Sequence, residues 1–345
     1  MHRHIIRYAL FLSFGGGIAF AQNPAAPVAR SAAPTSTVYA SVVATHLFVV
    51  GGANPRTGLF MQHPGEDTTW RHAGPNNIRA FGLAVPASGR GRVLYIASGN
   101  GVQKSTDGGA TWKITTGWRI TEVLWVAPDP RDTNTVYCAT EFGIFKTTDG
   151  CATWNEMTRG LTSKFTQCVI VDRAVPGKVY CATEDGLFQS TDGAATWTRM
   201  GLSVGGTRVI AQHPRDPGTF VAGTESYGIY VSRDGGNVWV RSEAGVDHST
   251  FYTVAFEPGS PDTVYAGGYV TGVYKSTDGA KSWHRMNEGL AHLNIHAIAV
   301  DPTDGQRVYA ATMWGGVYRT DNGGASWRPA GLGGAEVWNI AIQPF

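Results

Sequence analysis

Tryptophan recurs along this chain at a nearly fixed interval: Trp70, Trp112, Trp154, Trp197, Trp239, Trp283 and Trp327 are separated by 42, 42, 43, 42, 44 and 44 residues. Such a period marks a supersecondary unit repeated in tandem, each copy burying its apolar face against the next. Within one copy the pattern is strand-like. Residues Ile295 to Val300 alternate and stop at Asp301-Pro302. Arg307 to Ala311 is a second strand, Gly316 to Arg319 a third, and a fourth begins at Ser326-Trp327. The second strand recurs as Val136-Tyr137-Cys138-Ala139, Val179-Tyr180-Cys181-Ala182 and Val264-Tyr265-Ala266. The third recurs as a Gly-apolar-aromatic run at Gly143, Gly186, Gly228 and Gly272. No helical periodicity competes with it. Four short strands in each of seven units define an all-β, seven-bladed β-propeller of four-stranded antiparallel blades.

Each tryptophan closes a short motif. The clearest copies are Ser105-Thr106-Asp107-Gly108-Gly109-Ala110-Thr111-Trp112 and Ser276-Thr277-Asp278-Gly279-Ala280-Lys281-Ser282-Trp283. Further copies centre on Asp149 before Trp154, Asp192 before Trp197 and Asp234 before Trp239. The last carries Asn322 in place of the Asp, before Trp327, and the first, His63 to Trp70, is degenerate. Ser, Thr and Asp oxygens accept backbone N–H groups in a turn, Gly supplies positive φ, and the Trp ring is expected to pack beneath. These are structural tasks rather than catalytic ones.

The S-x-D-x-G-x-x-W pattern resembles the Asp-box, or BNR repeat, over about residues 36–345. The resemblance extends to photosystem II stability/assembly factor-like proteins and to xyloglucan-cleaving hydrolases of the sortilin/sialidase superfamily. It implies that inner strands line a central channel. It also implies that the turns between second and third strands share one face with the loops between blades, while the Asp-box turns lie opposite. Sialidases have six blades and an arginine triad with no counterpart here. Sortilin-type receptors have ten blades, and the xyloglucan-cleaving enzymes pair two propellers. The assembly-factor-like proteins match this chain in size and are non-enzymatic.

Val337 to Ile342 repeats the first-strand pattern, so the C-terminal strand is expected to close the ring as the inner strand of the first blade. Residues 46–52, 58–62 and 69–72 would then supply that blade's remaining strands, leaving Val38 to Val43 as a spare. Ahead of the repeats, His2, Arg3, His4 and Arg7 precede an apolar stretch, Tyr8 to Phe20, and Ala19-Phe20-Ala21 offers a small-x-small cleavage site. Residues 1–21 therefore read as a signal peptide and 22–35, rich in Ala and Pro, as a disordered leader. Cleavage removes Arg3 and Arg7 and no acid, so the formal charge falls from +2 to 0. A neutral chain has no bulk attraction to nucleic acid or anionic membrane. A secreted or periplasmic monomer without a membrane span is expected. Export also permits disulfides; Cys168 and Cys181 lie on adjacent strands of one blade and could face one another, whereas Cys138 and Cys151 read as buried or free thiols.

On the channel mouth implied by the resemblance, the turns carry Asn54, Arg56, Asn100, Glu141, Phe142, Glu184, Asp185, Glu225, Tyr227, Tyr269, Met313 and Trp314. The inter-blade loops add Asn77, Arg79, Trp118, Arg119, Lys164, Phe165, Arg208, Phe251, Tyr252, Asn294, His296, Trp338 and Asn339. Turns ordinarily favour Gly, Asn, Asp and Ser, so rings in these positions suggest a binding surface. Arg56, Arg79, Trp118, Arg119, Phe142, Phe165, Tyr227, Tyr252, Tyr269, Trp314 and Trp338 are the expected ligand contacts. Glu141, Glu184, Asp185 and Glu225 could form an acidic arc, and paired carboxylates hydrolyse glycosidic bonds, so they are the catalytic candidates if the chain is an enzyme. His292 and His296 are four apart but lie on a loop leading into an inner strand rather than on a helix, no cysteine spacing matches a metal site and no phosphate loop is present, so no metal or cofactor is expected. The expectation is an extracytoplasmic binding scaffold for a protein or polysaccharide, with glycoside hydrolysis as the alternative.

Overall fold

The computed structural model describes residues 35–45 and 57–344. The expected signal peptide, the leader up to residue 34, a strand over 46–52, and Asn54 and Arg56 fall outside the described residues. Seven four-stranded antiparallel sheets follow one another around a ring. The inner strands of blades 2 to 7 are Ala80–Ala84, Val123–Asp129, Thr166–Val171, Thr207–Gln212, Phe251–Phe256 and Ile295–Asp301. Ala335–Pro344 is the inner strand of blade 1 and packs against the inner strands of blades 7 and 2, which closes the ring.

Blade 1 corrects one expectation. Its second strand is Ser36–Thr45, which pairs with Ala335–Pro344 on one side and Gly58–Gln62 on the other, so Val38 to Val43 is no spare. The outermost strand, Arg71–Gly74, begins just after Trp70. In blade 7 likewise the outer strand is Arg328–Pro329, one step beyond Trp327.

Burial peaks at the second strand of each blade: inner strands such as Thr166–Val171 are partly open to the channel, and outer strands are exposed. Second strands such as Val179–Thr183 and Phe220–Thr224 are buried throughout. Outer strands such as Lys113–Ile114 and Thr198–Arg199 are two exposed residues long. A short, polar outer edge gives little template for pairing with another chain.

The turns between third and fourth strands repeat one hydrogen-bond network. In blade 2, Ser105 Oγ donates to Asp107 Oδ1 at 2.8 Å and accepts from Gly109 N at 2.9 Å. Thr111 then donates through N to Asp107 Oδ1 at 2.9 Å and through Oγ1 to Oδ2 at 2.6 Å. The same bonds recur around Asp149, Asp192 and Asp278. Asp234 has them without the hydroxyl, because Val238 stands at that position. Asn322 preserves the geometry with one role reversed: its amide donates to Ser326 Oγ at 2.9 Å. The hydroxyl bonds hold Asp107, Asp149 and Asp192 down at about 2. These groups contribute stability above the unfolded carboxylate value of about 3.9, and it is lost as pH falls through about 2. The melting temperature is therefore expected to fall between about pH 4 and pH 2, and a triple variant with Asn at 107, 149 and 192 should show a flatter profile across that window in scanning calorimetry.

The tryptophans stitch blades together. Nε1 of Trp112, Trp197 and Trp327 donates at 2.8 Å to a carbonyl of the preceding blade, at Ala73, Met157 and Met286 respectively. Trp283 Nε1 reaches Ser242 Oγ at 2.8 Å. Trp70 Nε1 reaches Ala330 O at 2.7 Å across the closing seam. Trp239 instead bonds within its own turn, to Gly236 O, and Trp154 Nε1 has no partner among the described residues. Trp197, Trp283 and Trp327 are buried, whereas Trp70, Trp112, Trp154 and Trp239 are half-buried.

All four cysteines are free and buried. Cys168 pairs with Ala182 and Cys181 with Val169, so the two thiols project from opposite faces of the blade and no disulfide joins them. Burial pushes the Cys168 thiol up to about 12.

Candidate ligand-binding mouth

Every inner strand breaks register at the same place. Pairing skips one residue near the start of each strand in blades 2 to 7, and those residues are Phe81, Leu124, Gln167, Arg208, Tyr252 and His296. In blade 1 the pairing jumps from Asn339 to Val337 and skips Trp338. Each is a β-bulge, which bends the strand and re-aims the extra side chain. Seven bulges at one level of seven inner strands place seven side chains in a ring around the channel mouth.

Four neighbours in this ring touch edge to face. Phe81 meets Trp338 with ring centroids 5.0 Å apart, Trp338 meets His296 at 5.0 Å, and His296 meets Tyr252 at 5.8 Å. This arc spans blades 2, 1, 7 and 6. An arginine caps each end: Arg79 lies 5.3 Å from the Phe81 ring centre and Arg208 lies 5.7 Å from that of Tyr252. Each arginine is paired with a carboxylate, Arg79 with Glu122 at 2.6 Å and Arg208 with Glu225. Trp338 Nε1 donates to Glu336 Oε1 at 2.7 Å, which fixes the indole. Burial depresses His296 to about 4, so its imidazole is neutral near pH 7 and packs as an aromatic ring. The rest of the ring, Leu124 and Gln167, is not aromatic.

The residues expected from the sequence fall into two tiers. Trp338, Tyr252 and Arg208 belong to the ring itself, and Arg79 caps it. Phe142, Tyr227 and Tyr269 stand outward on the turns and are about half exposed. Trp118 is 82% exposed and stacks with its neighbour Arg119 at 5.1 Å. Phe165 and Trp314 are half-buried, and Trp314 sits at a left-handed φ of 67°. The four acids have different partners. Glu225 is taken up by Arg208, and Glu184 Oε1 accepts from Gln167 at 3.5 Å. Partial burial, aided by the charge of Glu122, raises Glu141 above its ordinary range. Asp185 offers its backbone carbonyl to Arg199. Phe81, Leu124 and Gln167 were not anticipated, because a bulge leaves no mark in an alternating pattern. The available signal was positional: each is the second residue of its inner strand, as are Arg208, Tyr252 and His296.

No protein-family model and no curated protein matches the chain. Solved structures do resemble it. An ancestral GH74 enzyme is 26% identical with a TM-score of 0.53, over 62% of this chain and 32% of its own. YCF48 bound to D1 peptide is 17% identical with a TM-score of 0.54, over 72% of this chain and 81% of its own. An extracellular domain from B. thetaiotaomicron is 14% identical with a TM-score of 0.62, over 83% of this chain and 38% of its own. The chain thus spans about a third of the length of that GH74 enzyme. These neighbours share the propeller fold and include both an enzyme and a peptide-bound protein. Among the described residues no helix is long and apolar enough to cross a membrane.

Proposed function

We propose that this chain is an exported, non-enzymatic binding scaffold, an Asp-box propeller whose channel mouth takes a segment of a partner protein. The carrying observation is the continuous arc Phe81–Trp338–His296–Tyr252 capped by Arg79 and Arg208. Trp, Tyr and Arg are the residues that dominate protein interfaces, and here they stand together. The two Arg–Glu pairs add donors and acceptors beside an apolar surface, as a polypeptide requires. The repeated turn networks favour reading the repeats as Asp-boxes, and the basic and apolar N-terminal residues favour export. YCF48, which binds the D1 peptide, offers a precedent for a partner of this class.

Glycoside hydrolysis is the competing reading, favoured by the likeness to the GH74 enzyme. Glu141, Glu184, Asp185 and Glu225 would carry it, and the commitment of Glu225 to Arg208 counts against it. Immobilised protein exposed to extracytoplasmic extract of the source cells should retain a discrete partner. Trp338→Ala and Tyr252→Ala should each weaken that partner about 30-fold or more, without lowering the melting temperature, as expected for central interface residues. Reducing-end release from a β-glucan or xyloglucan panel, abolished by Glu141→Gln or Glu184→Gln, would instead establish the hydrolase.

A further inference from the structure

The opposite end of the channel has different chemistry. Beyond the bulges, the inner strands of blades 3 to 6 line an open cavity of about 540 Å³ walled mainly by apolar side chains, among them Trp125, Ile170, Ala211 and Phe256, with Gln212 and Arg173 as its polar members. That volume falls in the range of about 300–1,000 Å³ typical of small-molecule sites. Its walls include no acid, and Arg173 is the one charged residue among them. Arg173 follows the inner strand of blade 4 and is exposed. Its backbone N donates to Gln212 Oε1 of blade 5 at 2.9 Å, and Gln212 Nε2 in turn donates to Asp172 at 2.9 Å, so this corner is pinned between two blades. The carboxylate of Asp172 is spent locally, accepting from Tyr180 OH at 2.5 Å and from the backbone N–H groups of Ala174 and Val175 at 2.7 and 2.8 Å. Among the described residues no carboxylate forms an ion pair with the Arg173 guanidinium.

We infer that this lower channel binds an anionic amphiphile, its acyl or aryl body among Trp125, Ile170, Ala211 and Phe256 and its carboxylate on Arg173. The apolar walls exclude a polar body, which would lose its water without gaining hydrogen bonds. A lone guanidinium at the rim selects an anionic head, which it can bind through two parallel N–H groups. This site is separate from the aromatic mouth and does not depend on the function proposed for it.

Calorimetric titration of the full chain with octanoate, nonanoate and decanoate, below their aggregation thresholds, tests the inference. Affinity should rise about fourfold per added methylene as each is buried. Arg173→Gln should weaken decanoate about tenfold and leave decanol within about twofold. Ala211→Trp should fill the lumen and abolish binding of both, and Ala127→Leu provides a milder block should the first variant misfold. Trp338→Ala, at the other mouth, should leave binding unchanged. Absence of saturable decanoate binding, affinity independent of chain length, or indifference to both Arg173→Gln and the lumen-filling variants would overturn it.

Discussion

A chain ending at Gly334 is expected to lose its cooperative thermal transition. The missing segment, Ala335–Pro344, is the inner strand of blade 1 and pairs along the whole of Ser36–Thr45. It also contributes Ala335, Val337 and Ile340 to the core that holds Val38, Ala40 and Val42. Each buried Val or Ile stabilises the fold by about 1.5–3 kcal/mol, and a domain's total margin is about 5–15 kcal/mol. Loss of Val337 and Ile340, exposure of the residues facing them and loss of a full ladder together approach that margin. Blades 7 and 2 would also face each other across a gap. Scanning calorimetry should show a broad, weak transition, and blade 1 should be cut first in limited proteolysis. A truncated chain that melts within a few degrees of the parent would mean that the ring does not depend on its strand-paired seam.

Arg307→Ala is expected to cost about 3–5 kcal/mol, the range for breaking a buried ion pair from one side. Arg307 is 2% exposed, yet it is long and charged. It pairs with Asp321 at 3.1 Å and with Asp301 and Asp304 at 3.5 Å. Asp301 is itself buried, and without the guanidinium its charge would be left with only the hydrogen bonds that its Oδ1 accepts from Ser36 Oγ and from the N and Oγ1 of Thr303. The cluster extends across the seam: Asp321 also bonds Arg319 and Arg328, and both of these pair with Asp67 of blade 1. Urea unfolding near pH 7 reads the cost. Asp67→Asn should cost far less, because Asp67 is more than half exposed and surface pairs contribute little.

The degenerate first turn thus has a different task from the other six. Its Glu66 accepts from His63 N at 2.8 Å to close the turn, which leaves Asp67 for the seam. The sequence pattern marks this turn as weak without indicating why, since its partners Arg319 and Arg328 lie some 250 residues away.

The architecture was readable because each blade repeats the same local rules: a Val-Tyr-Ala second strand, a Gly-apolar-aromatic third, and a turn whose Ser, Asp and Gly each have one role. Even the misplaced strand of blade 1 carried the signal, since Val38-Tyr39-Ala40 matches Val264-Tyr265-Ala266. Register was the unreadable part. Continued without a break from Thr166↔Thr183, the pairing in blade 4 would set Cys168 opposite Cys181. The bulge at Gln167 shifts it by one residue and turns the thiols to opposite faces. The same kind of shift, repeated in every blade, brings Phe81, Leu124 and Gln167 into one ring with Arg208, Tyr252, His296 and Trp338, which the pattern of the turns and loops had placed at the mouth without a register.

Those bulges also separate what the molecule displays from what keeps it folded. A residue skipped by the ladder has no cross-strand neighbour to satisfy, and its replacement leaves the pairing on either side intact. The ring therefore presents seven slots in which the side chain can diverge while the frame is inherited unchanged. The present occupants, from Phe and Trp to Gln and Arg, already differ widely in size and polarity. A propeller of this kind can acquire a new specificity by redrawing one circle of residues, and a designer could randomise the same circle as a compact library on a fixed scaffold.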